Sequence, residues 1–421
     1  MVRRTITFCI LCALLVGCVP GAPAQPKVSF IVWGDPAEKA AYEGIVKAFE
    51  QQQPTIDVEI THIPGQNDYR KRLAADFAAG QPADVVLLNY RRMPTFAAKG
   101  AIEPLEPFLE RSTRIKEQDF YPEPMAAFRF NGTLMCIPQN TSSLVVYYNK
   151  QLFDQAGVAY PNDNWTWDDF LTTAQTLTKD VNGDGTIEQY GAGIEPTAIR
   201  LAPFIWQNGG NIVDNATEPT TLTLDAPEAL AAAQWFVDLQ VKHHVVPDAV
   251  AAESEDDESR FQNGRTAMLF DSRRAVPTLR TINTFDWDIA PLPHGPQATT
   301  ILHSDAYCMS AKAANKEAVW SFIEFANSSE GQTIIARTGR TVPSLQAVAQ
   351  SPAFLEPNAK PQRSSVFLEA IPTIRAVPTF ATWEDVESIL DNEIKRAFYG
   401  QASVADAMRT AQQNAAPFLK R

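Results

Sequence analysis

The sequence predicts an α/β protein with more than one core. Three observations carry this. Residues 27–88 alternate in the order strand, helix, strand, helix, strand, the pattern of an open doubly wound sheet. A second buried strand, Leu144-Val145-Val146-Tyr147-Tyr148, β-branched and aromatic, opens a further series of strands and helices. The chain's 421 residues exceed what one hydrophobic core usually organises.

The elements follow in order. Lys27-Val28-Ser29-Phe30-Ile31-Val32-Trp33 is a strand ended by Gly34-Asp35-Pro36. A helix over residues 37–52 puts Ala41, Ile45, Ala48 and Phe49 on one face, and Pro54 closes the segment. Residues 56–60 alternate as a strand, residues 68–79 form a helix stopped by Gly80, and residues 83–88 are a continuous apolar strand of the kind a parallel sheet buries on both faces. After residues 144–148, Asn149 ends the strand and a short helix (Leu152, Phe153, Ala156) stops at Gly157. Thr166 and Asp169 have the spacing of a capping box. Asp225 is read as the cap of a helix that runs to His243. Residues 261–272 give a helix end, a Gly turn and a strand, and residues 285–292 and 304–311 give two more strands. Asn315 caps a helix whose aromatic face is Trp320, Phe322 and Phe325. Residues 341–382 are proline-rich and weakly periodic; Thr382 and Ser403 are then read as caps of the last two helices.

The N-terminus bears on location. Arg3 and Arg4 precede an apolar run over residues 5–17, too short to span a bilayer as a helix. It ends Leu15-Val16-Gly17-Cys18, which resembles a bacterial lipobox: a small residue at the scissile bond and a thiol to carry the lipid. Residues 1–17 are thus expected to be a lipoprotein signal peptide, Cys18 the lipidated residue, and residues 18–27 a Pro- and Gly-rich tether. No other stretch is apolar enough for a membrane span, so the membrane contact expected is the lipid anchor alone. A net charge of −13 and the lack of Lys/Arg clusters argue against a nucleic-acid partner. Cys136 and Cys308 remain outside the signal; a disulfide and two buried thiols are both compatible with the sequence.

The wording of several segments adds to this. YYNKQLFDQAG, the WTWDDF that follows it, FQNGRTAMLF and the strand-then-helix of residues 304–326 resemble family 1 extracellular solute-binding proteins, the maltose-binding type that serves ABC importers. The resemblance covers roughly residues 28–414. It implies a two-lobe periplasmic-binding-protein-like fold (type II) with discontinuous lobes joined by a three-segment hinge. The N-terminal lobe would take residues 28–137 plus 297–328, and the C-terminal lobe residues 138–296 plus 329–421. Crossings would fall near residues 137–141, 293–296 and 328–329. It also implies a carbohydrate ligand, ABC permease subunits and their ATPase as partners, a monomer, and a place outside the cytoplasm.

A sugar site needs flat apolar faces for the ring C–H surface, with acids and amides for the hydroxyls. Trp33 ends the first strand at the carboxyl edge, where open α/β sheets bind ligands. Trp206 precedes a Gly-Gly turn, and it, Tyr307 and Trp383 fall in segments that resemble cleft-lining parts of the family. Core packing is the competing reading for each; it is preferred for Trp165, Trp167, Trp235, Trp287 and Trp320. Polar candidates at strand ends and turns are Asp35, Asn89, Arg91, Gln139, Asn140, Asp271, Arg273, Asp305 and Arg340. Arg273-Arg274 depart from the family pattern and admit an anionic ligand, a sugar acid or glycerol phosphoester, or plain surface charge.

Asp180, Asn182, Asp184 and Glu188 place oxygens as the first half of an EF-hand loop does, but Gly191 stands where a bidentate Glu is needed. Calcium and a simple hairpin turn are both readings of this loop, and no other cofactor is indicated. A hydrolase is the rival class. GxSxG, HExxH and P-loop motifs are absent, and His303-Ser304-Asp305 lie contiguously on one strand, where neighbours point to alternate faces.

Overall fold

The computed structural model describes residues 25–216 and 218–419. The expected signal peptide, Cys18 and most of the tether lie outside them. Two sheets organise the chain. The first has the order Asp57–Ile63, Lys27–Trp33, Val85–Asn89, Asp305–Ser310, with Ile102–Glu103 and Cys136–Pro138 both pairing with the far side of Asp305–Ser310. The three early strands run parallel, and Asp305–Ser310 runs antiparallel to its neighbours. The second sheet has the order Trp287–Ala290, Val145–Asn149, Thr266–Asp271, Tyr190–Gly193.

Each sheet has its own aromatic core. In the first, Phe30 meets Tyr42 edge-on at 5.6 Å and Phe322 at 5.2 Å, so helices Pro36–Gln52 and Lys316–Ala326 share one face. In the second, Trp167 stacks on Trp235 at 4.6 Å and Phe170 meets Phe270 edge-on at 5.2 Å. The caps at Asn149, Thr166 and Asn315 form, the second as a full box with Asp169. Two others do not. Helix Pro227–Val241 is capped at Ala226 rather than Asp225, and the Thr382 hydroxyl donates to the Phe418 carbonyl instead of capping.

Three chain segments run side by side between the sheets. Ser142 and His303 exchange backbone hydrogen bonds of 2.8 Å, and the Thr141 amide donates to the Val342 carbonyl at 2.8 Å. Two crossings therefore come later than the sequence reading puts them. Residues 294–300 stay bonded to the second lobe, through His294 to Trp165 and Thr300 to Leu144, so the second crossing is at residues 302–304 rather than 293–296. Helix Ser329–Ala336 packs on helix Pro36–Gln52, where Gln52 donates to Glu330. The break at Asn327-Ser328 is thus a turn between two helices of one lobe, with Ser328 as N-cap, and the third crossing follows it.

Cys136 and Cys308 are bonded as a disulfide and sit directly opposite each other on adjacent strands. No helix among the described residues is long and apolar enough to cross a membrane.

Candidate functional site

Three predicted residues meet at the carboxyl edge of the first sheet. Trp33 ends its strand, Asn89 ends the next, and Asp305 begins the antiparallel strand directly opposite Asn89. Asn89 Nδ2 donates to Asp305 Oδ1 at 3.2 Å, and the Asp305 amide donates to Asn140 Oδ1 at 2.7 Å. Burial pushes the Asp305 carboxyl up, against the pull of Asn89, Arg91 and Arg340. All three line a cavity of about 450 Å³ that also holds Tyr69, Arg70 and Phe96.

Beside it, the turn after Trp33 builds a charged knot. Gly34 has φ +132°, and a Cβ there would lie 1.6 Å from Glu38 Oε2, so only glycine fits. Asp35 caps helix Pro36–Gln52 by accepting the Glu38 amide at 2.9 Å. Arg340, from the third connecting segment, donates at 2.8 Å to Asp35 Oδ2 and lies 2.8 Å from Glu38 Oε1. Its guanidinium also stands 5.7 Å over the Trp33 ring. Burial wins at Glu38: its carboxyl is pushed up to about 7 although Arg340 acts to lower it.

Facing this edge is helix Trp383–Phe398, which packs on helices of the second lobe. Glu387 pairs with both Arg91 and Arg92, and Glu384 lies 3.6 Å from Arg92. Arg91 also donates to Asn89 Oδ1 at 3.1 Å. In the second lobe, Asp271 accepts from the Ser272 amide, Arg200 and Arg274, so its oxygens are already engaged. Burial, reinforced by Arg200, Arg91 and Arg274, holds His303 well below the usual imidazole range.

The other predicted residues have different surroundings. Arg273 is fully buried; it donates to the Gly339 carbonyl and Ser364 Oγ, and its guanidinium lies over the rings of Phe354 and Phe367. Trp206 is buried under the Arg375 guanidinium at 4.8 Å and does not line the cavity that holds Trp33. Gln139 is bonded to the Tyr42 hydroxyl. Tyr307 and Trp383 are fully buried, and the Tyr307 hydroxyl and Trp383 Nε1 find no partner among the described residues. The same holds for Thr141 Oγ1, Ser143 Oγ, Thr341 Oγ1 and His303 Nε2, all on the connecting segments.

Sequence reasoning passed over Glu38, Arg70, Arg92, Glu384 and Glu387. For Glu38 a signal existed, since Asp35 and Glu38 have capping-box spacing before an apolar helix. Arg70 and Glu387 carry no local mark; only tertiary packing brings them to the edge. The 180–188 loop is closed by its own bonds: Asp180 accepts the amides of Gly183, Asp184 and Gly185, and Glu188 accepts the Val181 amide. Oxygens of Asp180, Asp184 and Glu188 lie within 4.8 Å of one another, while Gly191 sits in a buried strand.

Two α/β lobes, three adjacent connecting segments and a ligand-sized cavity at a sheet's carboxyl edge define a two-lobe solute-binding protein. The chain belongs to the bacterial extracellular solute-binding protein family, whose model matches residues 33–333. It is similar to the mannitol-binding protein of Pseudomonas aeruginosa, 24% identical over 89% of both chains. It is also similar to the sn-glycerol-3-phosphate-binding periplasmic protein of Rhizobium meliloti, 24% identical over 89% of both. Among solved structures, an ABC substrate-binding protein of Listeria monocytogenes in complex with cycloalternan superposes with a TM-score of 0.87 at 24% identity, covering 94% of this chain and 99% of that one. These relatives are binding proteins, not enzymes, and the family works outside the cytoplasm.

Proposed function

We propose that this protein captures a carbohydrate in the cleft between its lobes and delivers it to the permease and ATPase of an ABC importer. One observation carries the choice of ligand. The buried groups without a hydrogen-bond partner around the connecting segments include uncharged donors and acceptors, the hydroxyls of Thr141, Ser143, Thr341 and Tyr307, Trp383 Nε1 and His303 Nε2, and the charged ones, on Glu38, Arg92, Glu387 and Arg200, belong to residues that already make ion pairs. Apart from Arg70, the arginines at this edge are paired with carboxylates, Arg340 with Asp35 and Glu38, Arg91 and Arg92 with Glu387, and Arg274 with Asp271 and Glu258. A neutral polyol suits such a surface, because each hydroxyl can satisfy a buried group without a net charge to compensate. Trp33 supplies the flat face, and Asn89 and Asp305 the polar contacts beside it.

The lobes move on connecting segments that include residues 139–143 and 302–304 and close over the ligand by a hinge motion. The protein acts as a monomer tethered through a lipid on Cys18. Mass spectrometry of the mature chain tests the tether: a diacylated Cys18 is expected, and an unmodified N-terminus beyond it would rule the anchor out.

A second reading, an anionic sugar acid or glycerol phosphoester, has one observation in its favour. Arg70 lines the cavity and has no hydrogen-bond or ion-pair partner among the described residues. A thermal-shift screen of neutral sugars, sugar acids and glycerol phosphates separates the two. A ligand at about 100 times its Kd adds about 2.7 kcal/mol. Neutral sugars should raise the melting temperature. A response confined to acids and phosphoesters, and lost in Arg70→Gln, would replace the neutral reading with the anionic one.

A further inference from the structure

The cavity beside Trp33 is longer than a sugar ring requires. It lies over strand Val85–Asn89, between helix Gln66–Ala78 and the helix Met93–Ala97. Its lining reaches from Trp33, Asn89 and Asp305 at the cleft edge, past an apolar middle, to Pro82, Ala311, Lys99 and Lys312 at the opposite edge of the sheet. Helix Gln66–Ala78 runs in the same sense, beginning at the cleft edge just after strand Asp57–Ile63. Its helical spacing therefore sets a gradient. Gln66 and Arg70 stand at the cleft end, and Leu73, Ala74 and Phe77 succeed them inward, facing Leu87 and Phe96. Phe77 and Phe96 meet at 4.9 Å and wall the inner part. At the polar end Asp305 is tied by hydrogen bonds to Asn89 and to Asn140 of the first connecting segment.

A free sugar has little use for the middle of the groove, where Leu73, Phe77, Leu87 and Phe96 offer its hydroxyls nothing to bond, although Lys99 and Lys312 stand at the far mouth. An apolar chain or ring attached to the sugar would fit both ends. We propose that this groove holds the apolar aglycone of an amphipathic glycoside whose sugar sits at the cleft end. The inference rests on the carbohydrate reading above and narrows it to a class of carbohydrate. The family relationship does not supply it; the length of the cavity and its apolar middle do.

Titration calorimetry on the mature chain tests it, with free monosaccharides, the matching n-octyl glycosides below their micelle-forming concentration, and 1-octanol as probes. The octyl glycoside should bind roughly a hundredfold tighter than its free sugar, since about four buried methylenes are enough for that. Ala74→Trp fills the groove from an exposed helix position, so the fold should survive, which a thermal melt checks. This variant should lose the octyl gain and keep the affinity for the free sugar. Equal affinity of glycoside and free sugar in the wild type would overturn the groove assignment and leave the carbohydrate reading intact. Loss of both affinities in Ala74→Trp, with an unchanged melt, would also overturn it. Binding of 1-octanol with no response to any sugar would overturn the carbohydrate reading and the glycoside assignment together, and would leave an apolar-chain site.

Discussion

Cys136 and Cys308 are bonded across adjacent antiparallel strands, the first just before the chain leaves the N-terminal lobe and the second just after it returns. The bond joins residues 172 apart in sequence, so it encloses most of the second lobe in one covalent loop. Closing a loop of that size removes much entropy from the unfolded chain, worth about 4 kcal/mol or somewhat more in the chain-entropy account. Replacing both cysteines by alanine should therefore lower the unfolding free energy by about that amount, read from urea denaturation. The mature chain with Cys18 lipidated, denatured without reductant, should show no free thiol; a titre of two would contradict the bond.

Arg273 and Arg274 show how little adjacency in sequence says about surroundings. A pair of arginines in a turn admits an anion fork or plain surface charge, and the two residues go to different places. Arg273 is sealed between Phe354 and Phe367 and tied to Gly339 and Ser364, while Arg274 pairs with Asp271 and Glu258 and keeps 44% of its side chain exposed. Arg273→Leu should cost about 3 kcal/mol of stability, because buried acceptors lose their charged donor. Arg274→Ala should cost about 1 kcal/mol or less. Urea unfolding of both variants checks the order. Normal stability with abolished ligand binding in Arg273→Leu would place this side chain on the ligand instead.

The same contrast runs through the fold. Strands such as Lys27–Trp33 and Val85–Asn89 were legible because their apolar pattern is a local consequence of burial on both faces. Helix caps at Asn149 and Thr166 were legible because capping needs a fixed residue type at a fixed spacing. The crossings were not, since a lobe change leaves no composition behind: Asn327-Ser328 has the look of a linker and is a turn between packed helices. Around the cavity, Trp33, Asn89 and Asp305 stand at strand ends that the sequence marks, whereas Arg70, Arg92 and Glu387 come together only through tertiary packing.

Glu38 links this site to pH. Its carboxyl is raised from 4.5 to about 7, chiefly by burial, so the folded protein binds this proton more tightly than the unfolded chain. Between those two values the native state holds more protons, and stability falls as pH rises. The contribution is fully present below about 4.5 and is lost as pH passes about 7. A shift of this size corresponds to about 3 kcal/mol at 1.36 kcal/mol per unit. Glu38→Gln keeps the shape and removes the titration, and Arg340 retains Asp35 as a partner. Melting temperatures taken from pH 4.5 to 7.5 should fall more steeply for the wild type than for the variant. Parallel curves would show that burial does not control this carboxyl.

Trp33 and Trp206 provide the sharpest separation of site from core. The sequence reading treats both as ligand faces, but the structure gives them different neighbours. Trp33 is partly exposed, lines the cavity with Asn89 and Asp305, and has Arg340 at its ring. Trp206 is buried in helix Ala198–Gln207 with Arg375 over it. An aromatic anchor in a ligand pocket typically costs about 2 kcal/mol or more of binding when truncated. A buried Trp costs about 3–5 kcal/mol of stability. Trp33→Ala should thus weaken ligand binding about thirtyfold while the melt moves little. Trp206→Ala should lower the melt strongly, and the protein that remains folded at low temperature should bind with near-normal affinity. Calorimetric titration of both variants at 10 °C, beside their melts, reads the two effects separately. Normal binding by Trp33→Ala would remove the first-sheet edge from the ligand site. Lost binding by a well-folded Trp206→Ala would move the site toward the second lobe.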